Sequence, residues 1–288
     1  LFTRVKGTSY PMAGNIFGTR KRLQTIFRDT IPVLEHLVKI KADPVHLFKH
    51  PFLATKMPSL LWRSRPKRVA SGAVTQGETT ISKLPQLVSW PEDGGAYATL
   101  PQVYSEDPEH PGFRSSNLGM YRIQLSGNNF ALNSQVGLHY QIHRGIGHHH
   151  ARALARHKPL PVNVFIGGPP AMTLAAVMPL PEGMPELAFA GMLGGHRIAV
   201  ARTDNGLPVP AEADFCISGH VYPEHNLPEG PFGDHLGYYS LAHDFPVLTV
   251  DRVLHRKDAV WPFTTVGRPP QEDSVLGEFI HDLTAPLV

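Results

Sequence analysis

Only one cysteine, Cys216, occurs among 288 residues. That excludes an intramolecular disulfide and every cysteine-rich zinc centre, and it fits a reducing compartment, so the expected location is cytoplasmic. Long hydrophobic runs are also missing. The most apolar stretch, residues 171–180, is interrupted by Pro179 and followed by Pro181. It falls far short of the roughly 20 residues that cross a bilayer, so no membrane span is expected. No basic segment leading into an apolar core marks a secretory leader. The chain opens at Leu1 without a Met and is expected to be part of a longer protein.

An excess of one charge is lacking too. Lys plus Arg number 27 against 24 Asp plus Glu, leaving +3, too little for a general polyanion binder. The one basic run, Trp62-Arg63-Ser64-Arg65-Pro66-Lys67-Arg68, reads as a solvated linker or a patch touching a neighbouring protomer. Nothing else in the chain supports groove or base recognition, and no nucleic acid is expected. There is no Gly-x-Gly-x-x-Gly after a strand, no Walker A segment, no His-Glu-x-x-His and no Gly-x-Ser-x-Gly, which removes several nucleotide, zinc-protease and hydrolase readings. Gly167-Gly168-Pro169-Pro170 lacks the backbone donors that a phosphate needs and reads as structural.

What is present is a core and a surplus of histidine. Apolar residues make up 42 % of the chain, sufficient for a substantial interior, and the length suggests two domains. The 17 histidines point to a metal or acid–base site. Between residues 21 and 40 apolar side chains recur at helical spacing with Pro32 as punctuation, predicting two short helices. After Leu84-Pro85 short apolar runs separated by Pro and Gly predict strands at 97–100, 119–125, 162–166, 198–201, 215–221, 247–253 and 259–265. Helices are expected at 146–157 and 185–193. The fold class is therefore α+β, the second part a barrel-like sheet carrying helices.

Polar residues inside these apolar segments are the candidates for chemistry. In a strand, Asn117, Gly119 and Tyr121 face one side and Leu118, Met120 and Arg122 the other. Arg122 is then either salt-bridged structure or a binder of carboxylate or phosphate. His143 stands at a strand-to-helix junction, where a fixed ring could serve as a metal ligand or as a donor to phosphate. His148, His149 and His150 point about 100° apart on a helix and cannot share one metal; they read as surface, or as a contact between protomers. Pro228-Glu229-Gly230-Pro231-Phe232-Gly233-Asp234-His235 and Gly267-Arg268-Pro269-Pro270-Gln271-Glu272-Asp273 have the composition of ordered functional loops.

Together with Trp90-Pro91-Glu92-Asp93-Gly94-Gly95, His143-Arg144-Gly145 and the stretch Leu180 to Gly191, these segments resemble, in order, the UbiD family of decarboxylases. The resemblance implies a small amino-terminal α/β domain at residues 1–90, a split β-barrel at 91–270 and the start of a linker helix at 271–288, with a carboxy-terminal domain absent. It implies prenylated FMN, Mn2+ or another divalent metal, and K+. The implied reaction is reversible, non-oxidative decarboxylation of an aromatic or α,β-unsaturated acid. Implied partners are a flavin prenyltransferase as cofactor supplier and a second copy in a homodimer or larger oligomer. Carried over by position, Asn117 and His143 are metal ligands, and Arg122 and Glu272 are catalytic, the first holding the substrate carboxylate and the second donating a proton. Met120, Arg122, Ile142, His143, Leu207, Pro208, Val209 and Pro210 contact the flavin.

One departure from the family pattern is expected at Ile217-Ser218-Gly219, where Ser218 stands in the place of a metal-ligating Glu. Three outcomes follow: a weaker metal site, a substitute carboxylate such as Asp214 or Glu229, or a non-catalytic UbiD-like scaffold or binding protein that has lost the reaction.

Overall fold

The structure is a computed structural model describing residues 1–43, 45–140, 145–180 and 183–287. Near the amino end, helix α1 (Arg20–Ile26) is capped by the Thr19 side chain, which accepts from the Arg22 N–H. Helix α2 (Ile31–Ala42) carries Pro32 in its first turn, where no backbone N–H is needed. The punctuation read from Pro32 is therefore a helix start. Helices α3 (Val45–Lys49) and α4 (Phe52–Arg63) follow.

Most remaining strands join one nine-stranded sheet. Its centre is the long strand Phe215–Glu229, paired antiparallel with Leu160–Ile166 on one side and His243–His255 on the other. The sheet continues through Pro101–Glu106 to Ser116–Gly119, and in the other direction through Gln135–Leu138 to Ile123–Gln124 and Tyr97–Ala98. Alternation along the central strands supplies two cores. Val162, Val164, Phe215 and Ile217 join one; Phe165 and Cys216 join the other, which packs under the helices. Strands covered on both faces read as continuous apolar runs, as residues 162–166 do.

Helices α5 (Ile146–Ala155), α6 (Pro170–Ala175) and α7 (Glu186–Leu193) interrupt the strands, α5 and α7 within the segments expected. Helix α8 (Glu272–Thr284) closes the described chain. The first ninety residues are interleaved with the rest: Met12–Gly14 pairs with Trp261–Phe263, Lys67–Arg68 with Ala199–Arg202, and Gly77–Thr79 with His243–His255. The expected strand at 119–125 is broken. Residues 116–119 belong to one part of the sheet and 123–124 to another, while between them the Met120 N–H donates to the Ala176 carbonyl at 3.0 Å. That break presents residues 117–122 to two different surroundings.

Candidate active site

At one end of this segment, Arg122 lies forked on Glu229. Its Nε donates to Glu229 Oε1 at 2.9 Å and one terminal nitrogen donates to Oε2 at 2.8 Å, the same nitrogen donating also to Ser240 Oγ at 3.0 Å. The guanidinium carbon sits 4.7 Å from the Phe232 ring centroid, and His139 Nδ1 lies 3.0 Å from Glu229 Oε2. Glu229 is completely buried. Burial works to raise its pKa, but hydrogen bonds from His139 and Arg122, with their charges, hold it below the ordinary carboxylate range. The site thus holds an anion forked by an arginine in a desolvated place.

At the other end, Asn117 and Tyr121 face each other, Nδ2 to hydroxyl 3.4 Å, and a side chain on Gly119 would strike the Tyr121 ring. These three residues share one side, as alternation predicts. Glu186 opens α7, where a carboxylate favours the helix dipole, and its Oε2 accepts from the Leu118 N–H at 3.1 Å. Burial raises the Glu186 pKa, opposed by backbone N–H groups of Glu186 and Leu118. No ion pair reaches it among the described residues. Gly145, at φ +52°, presses on this corner: a Cβ there would come within 2.2 Å of Asn117 Oδ1 and 2.7 Å of the Tyr121 hydroxyl, so both conformation and space require glycine. Ile142 and His143, expected beside this corner, lie outside the described residues.

Asn117 and Glu186 offer an amide oxygen and a carboxylate that lacks a cation, a donor pair suited to a hard divalent ion. Ser218 does not belong to it. In register, Ser218 lies opposite Asn163, Asn163 opposite Tyr104, and Tyr104 opposite Leu118. Ser218 is thus three strands, about 14 Å at usual strand spacing, from the Asn117 strand, and its side chain points to the other face. The carboxylate that reaches the Asn117 strand is Glu186, through the Leu118 N–H, and Ser218 is not brought to it. Nor do the proposed substitutes serve: Asp214 accepts from the N–H groups of Gly168 and Val260, and Glu229 is taken by Arg122.

Glu272 and Arg122 are not brought into hydrogen-bond contact. Glu272 begins α8, where its Oε1 accepts from the Phe17 N–H and its Oε2 is buried without a partner. Burial raises its pKa, and its neighbour Asp273 is pushed up to about 6, chiefly by burial and then by Glu272. Met120 packs against the helical core. In residues 207–210 the backbone is largely satisfied internally: Leu207 N–H donates to Asn205 Oδ1 at 3.1 Å, and the Pro208 carbonyl accepts from Asn163 Nδ2 at 3.0 Å. Leu207, Val209 and Pro210 are buried, while Pro208 lines a cavity of about 1380 Å3 that also carries Arg65, Arg68, Arg114, Arg197 and Arg202. The histidines of α5 divide. His148 is exposed as expected, but His149 and His150 are buried, bound to Ser105 Oγ at 2.9 Å and to the Tyr140 hydroxyl. The surface reading of those two is corrected because they occupy the inward face of the helix.

Two family models match this sequence: the UbiD 3-octaprenyl-4-hydroxybenzoate carboxy-lyase Rift-related domain over residues 63–269 and the corresponding amino-terminal domain over residues 1–41. The chain belongs to the UbiD family. A relative from Chlamydia pneumoniae, named as a component of 4-hydroxybenzoate decarboxylase, is 40 % identical over 293 residues, covering 100 % of this chain and 48 % of that protein. The vanillic acid decarboxylase of Sedimentibacter hydroxybenzoicus in its closed form superposes with a TM-score of 0.78 at 25 % identity, over 95 % of this chain and 56 % of that one. The UbiD-class enzyme HmfF of Pelotomaculum thermopropionicum, in an evolved dimeric form with prFMN, shares the fold at a TM-score of 0.79 and 24 % identity, over 98 % and 61 % of the two chains. The chain spans about half the length of the first curated relatives it matches. No described helix is long and apolar enough to cross a membrane.

Proposed function

We propose that this chain supplies the split-barrel, flavin-facing part of a UbiD-type enzyme that decarboxylates an aromatic or α,β-unsaturated acid reversibly and without net oxidation. The observation that carries the reading is the buried Arg122–Glu229 fork. When bound, prenylated FMN supplies the electron sink for the carbon that loses carbon dioxide. The protein's own residues do the rest. Arg122 would exchange part of its fork for the substrate carboxylate; Glu229, losing donors while remaining desolvated, would then rise in pKa, take a proton from solvent and give it to the carbon that has lost carbon dioxide. Apolar walls around Phe232 favour release of neutral carbon dioxide over retention of a carboxylate.

Asn117 and Glu186 would hold the divalent ion, taken as Mn2+, with His143 the third ligand by resemblance; K+ is the second ion that the resemblance implies. Met120, Ile142 and residues Leu207 to Pro210 keep, by resemblance, their place beside the flavin. A flavin prenyltransferase supplies the cofactor, and the enzyme works as a cytoplasmic homo-oligomer.

The test is carbon dioxide release by the full-length protein co-produced with a flavin prenyltransferase, offered 4-hydroxybenzoate and cinnamate-type acids. Arg122→Ala and Glu229→Gln are expected to lose about a hundredfold or more in turnover, the scale of removing one organised charge-stabilising group. Glu272, the proton donor that the resemblance assigned, is separated from Glu229 by the same assay. A Glu272→Gln loss with Glu229→Gln intact would move the donor to α8, and full turnover in all three variants would overturn the reading.

A further inference from the structure

A second cluster of metal-binding groups lies in the amino-terminal helices. His36 on α2, His46 on α3 and His50 just beyond α3 each offer one ring nitrogen, all within 4.8 Å of one another. We propose that His36, His46 and His50 form a binding site for a divalent transition ion of the Zn2+ or Co2+ class, clamping α2 to α3.

The local chain builds this arrangement. Asp43 ends α2, and its Oδ1 accepts from the Val45 N–H at 3.0 Å, turning the chain so that α3 starts at once. The His50 N–H donates to the His46 carbonyl at 3.2 Å, which carries the helical turn on and puts the two rings one above the other, the i, i+4 spacing that chelates a metal. His36 Nδ1 then lies 3.0 Å from His46 Nε2. Ligand nitrogens in a tetrahedral site with bonds of roughly 2.0–2.1 Å stand about 3.3 Å apart, so this pair is already near chelating distance. Phe52 meets the rings of His36 and His50 edge-on and backs the cluster.

The charge pattern agrees. No carboxylate forms an ion pair with any of the three among the described residues. Three imidazoles suit Zn2+, Co2+, Ni2+ or Cu2+, whereas Mn2+ and Mg2+ prefer oxygen. The site therefore selects a different ion from the Asn117–Glu186 pair, and it leaves a fourth position open to water.

Co2+ is the probe, titrated into the chelator-stripped chain carrying Asn117→Ala and Glu186→Gln so that the other pair is silent. One equivalent is expected to bind with the intense visible bands of four-coordinate Co2+, displaced by Zn2+ and not by tenfold Mn2+. Each of His36→Ala, His46→Ala and His50→Gln is expected to weaken binding at least tenfold and to abolish a Zn2+-induced rise in Tm, with helical circular dichroism unchanged. His148→Ala, on the exposed face of α5, is expected to bind as the parent does. Equal binding by the three variants and the parent, only the pale spectrum of six-coordinate Co2+, or displacement by Mn2+ would overturn the site.

Discussion

Two buried or partly buried carboxylates flank the same six residues, and the chain treats them oppositely. Glu229, at the Arg122 end, is completely buried yet held below the ordinary carboxylate range because the Arg122 fork and the His139 ring converge on it. Glu186, at the Asn117 end, has only backbone donors, and burial raises its pKa. Depth alone therefore does not set the charge state; the partner does. The first carboxylate is balanced within the protein, and the second has no cation among the described residues.

The sharpest way to break that contrast is to remove the partner. Arg122→Ala leaves Glu229 buried with His139 alone, and loss of one member of a buried pair costs about 3–5 kcal/mol. The expected outcome is that fall in urea-denaturation stability together with loss of turnover, while Arg122→Lys, which keeps charge but not the fork, recovers part of the stability. Unchanged stability in Arg122→Ala would show that the fork is dispensable and the two carboxylates are alike.

Ser218→Glu sharpens the assignment of the second carboxylate. Ser218 is buried against Asn163, whose amide is committed to Thr203, Asn205 and Pro208. The cation opposite it in register, Arg252, is already held by Glu78 and Asp204, so a carboxylate introduced there is expected to destabilise by about 3 kcal/mol with no gain in Mn2+ affinity. A gain in Mn2+ binding would return the metal ligand to that strand.

Glu186→Gln and Glu229→Gln form the direct comparison. Removing the Glu186 charge is expected to leave metal-free stability unchanged within about 0.5 kcal/mol, because no cation pairs it among the described residues and Gln keeps an acceptor for the Leu118 N–H, while Mn2+ affinity drops about a hundredfold for want of an anionic oxygen. Glu229→Gln is expected to do the reverse, losing stability with Mn2+ affinity intact. Titration calorimetry and urea midpoints on both variants check the pair.

Much of the element order was legible because burial imposes periodicity: the runs at 162–166 and 215–221 became strands buried on both faces, and Pro32 marked a helix start. Asn117, Gly119 and Tyr121 could be put on one side by the period-two rule alone. The partners were not legible. Glu229 reaches Arg122 across 107 positions through the pairing of residues 123–124 with 137–138 and of 137 with 247, and sheet register of that kind is not written in local composition. Glu186 was missed for a different reason. It sits in a Gly/Pro-rich apolar stretch where one carboxylate at a helix start reads as dipole complement, and only the Leu118 hydrogen bond gives it a second meaning. Glu272 comes from the resemblance by position, and its loop composition locates a loop but not what its side chains touch.

The smallest effect extends the comparison from acids to a base. His149 lies on α5 with Ser105, the residue opposite Asn117 in register. Burial pushes its pKa down to about 4, with Asp107 opposing and Arg152 and His148 adding to the fall. The unfolded ring titrates near 6.5. Between those two values the unfolded chain binds a proton that the native chain refuses, so stability is full above about pH 6.5 and falls as the pH drops toward 4. By pH 4.5 this one ring is expected to cost the parent about 2.5 kcal/mol. His149→Gln keeps a polar group for Ser105 and removes the titration. The expected result is that the parent's urea midpoint falls more than the variant's between pH 7 and pH 4.5, because only the parent must take up a proton on a buried ring. Parallel pH curves would mean that His149 is protonated where it stands, and that burial without a counter-charge does not decide the protonation state in this half of the molecule.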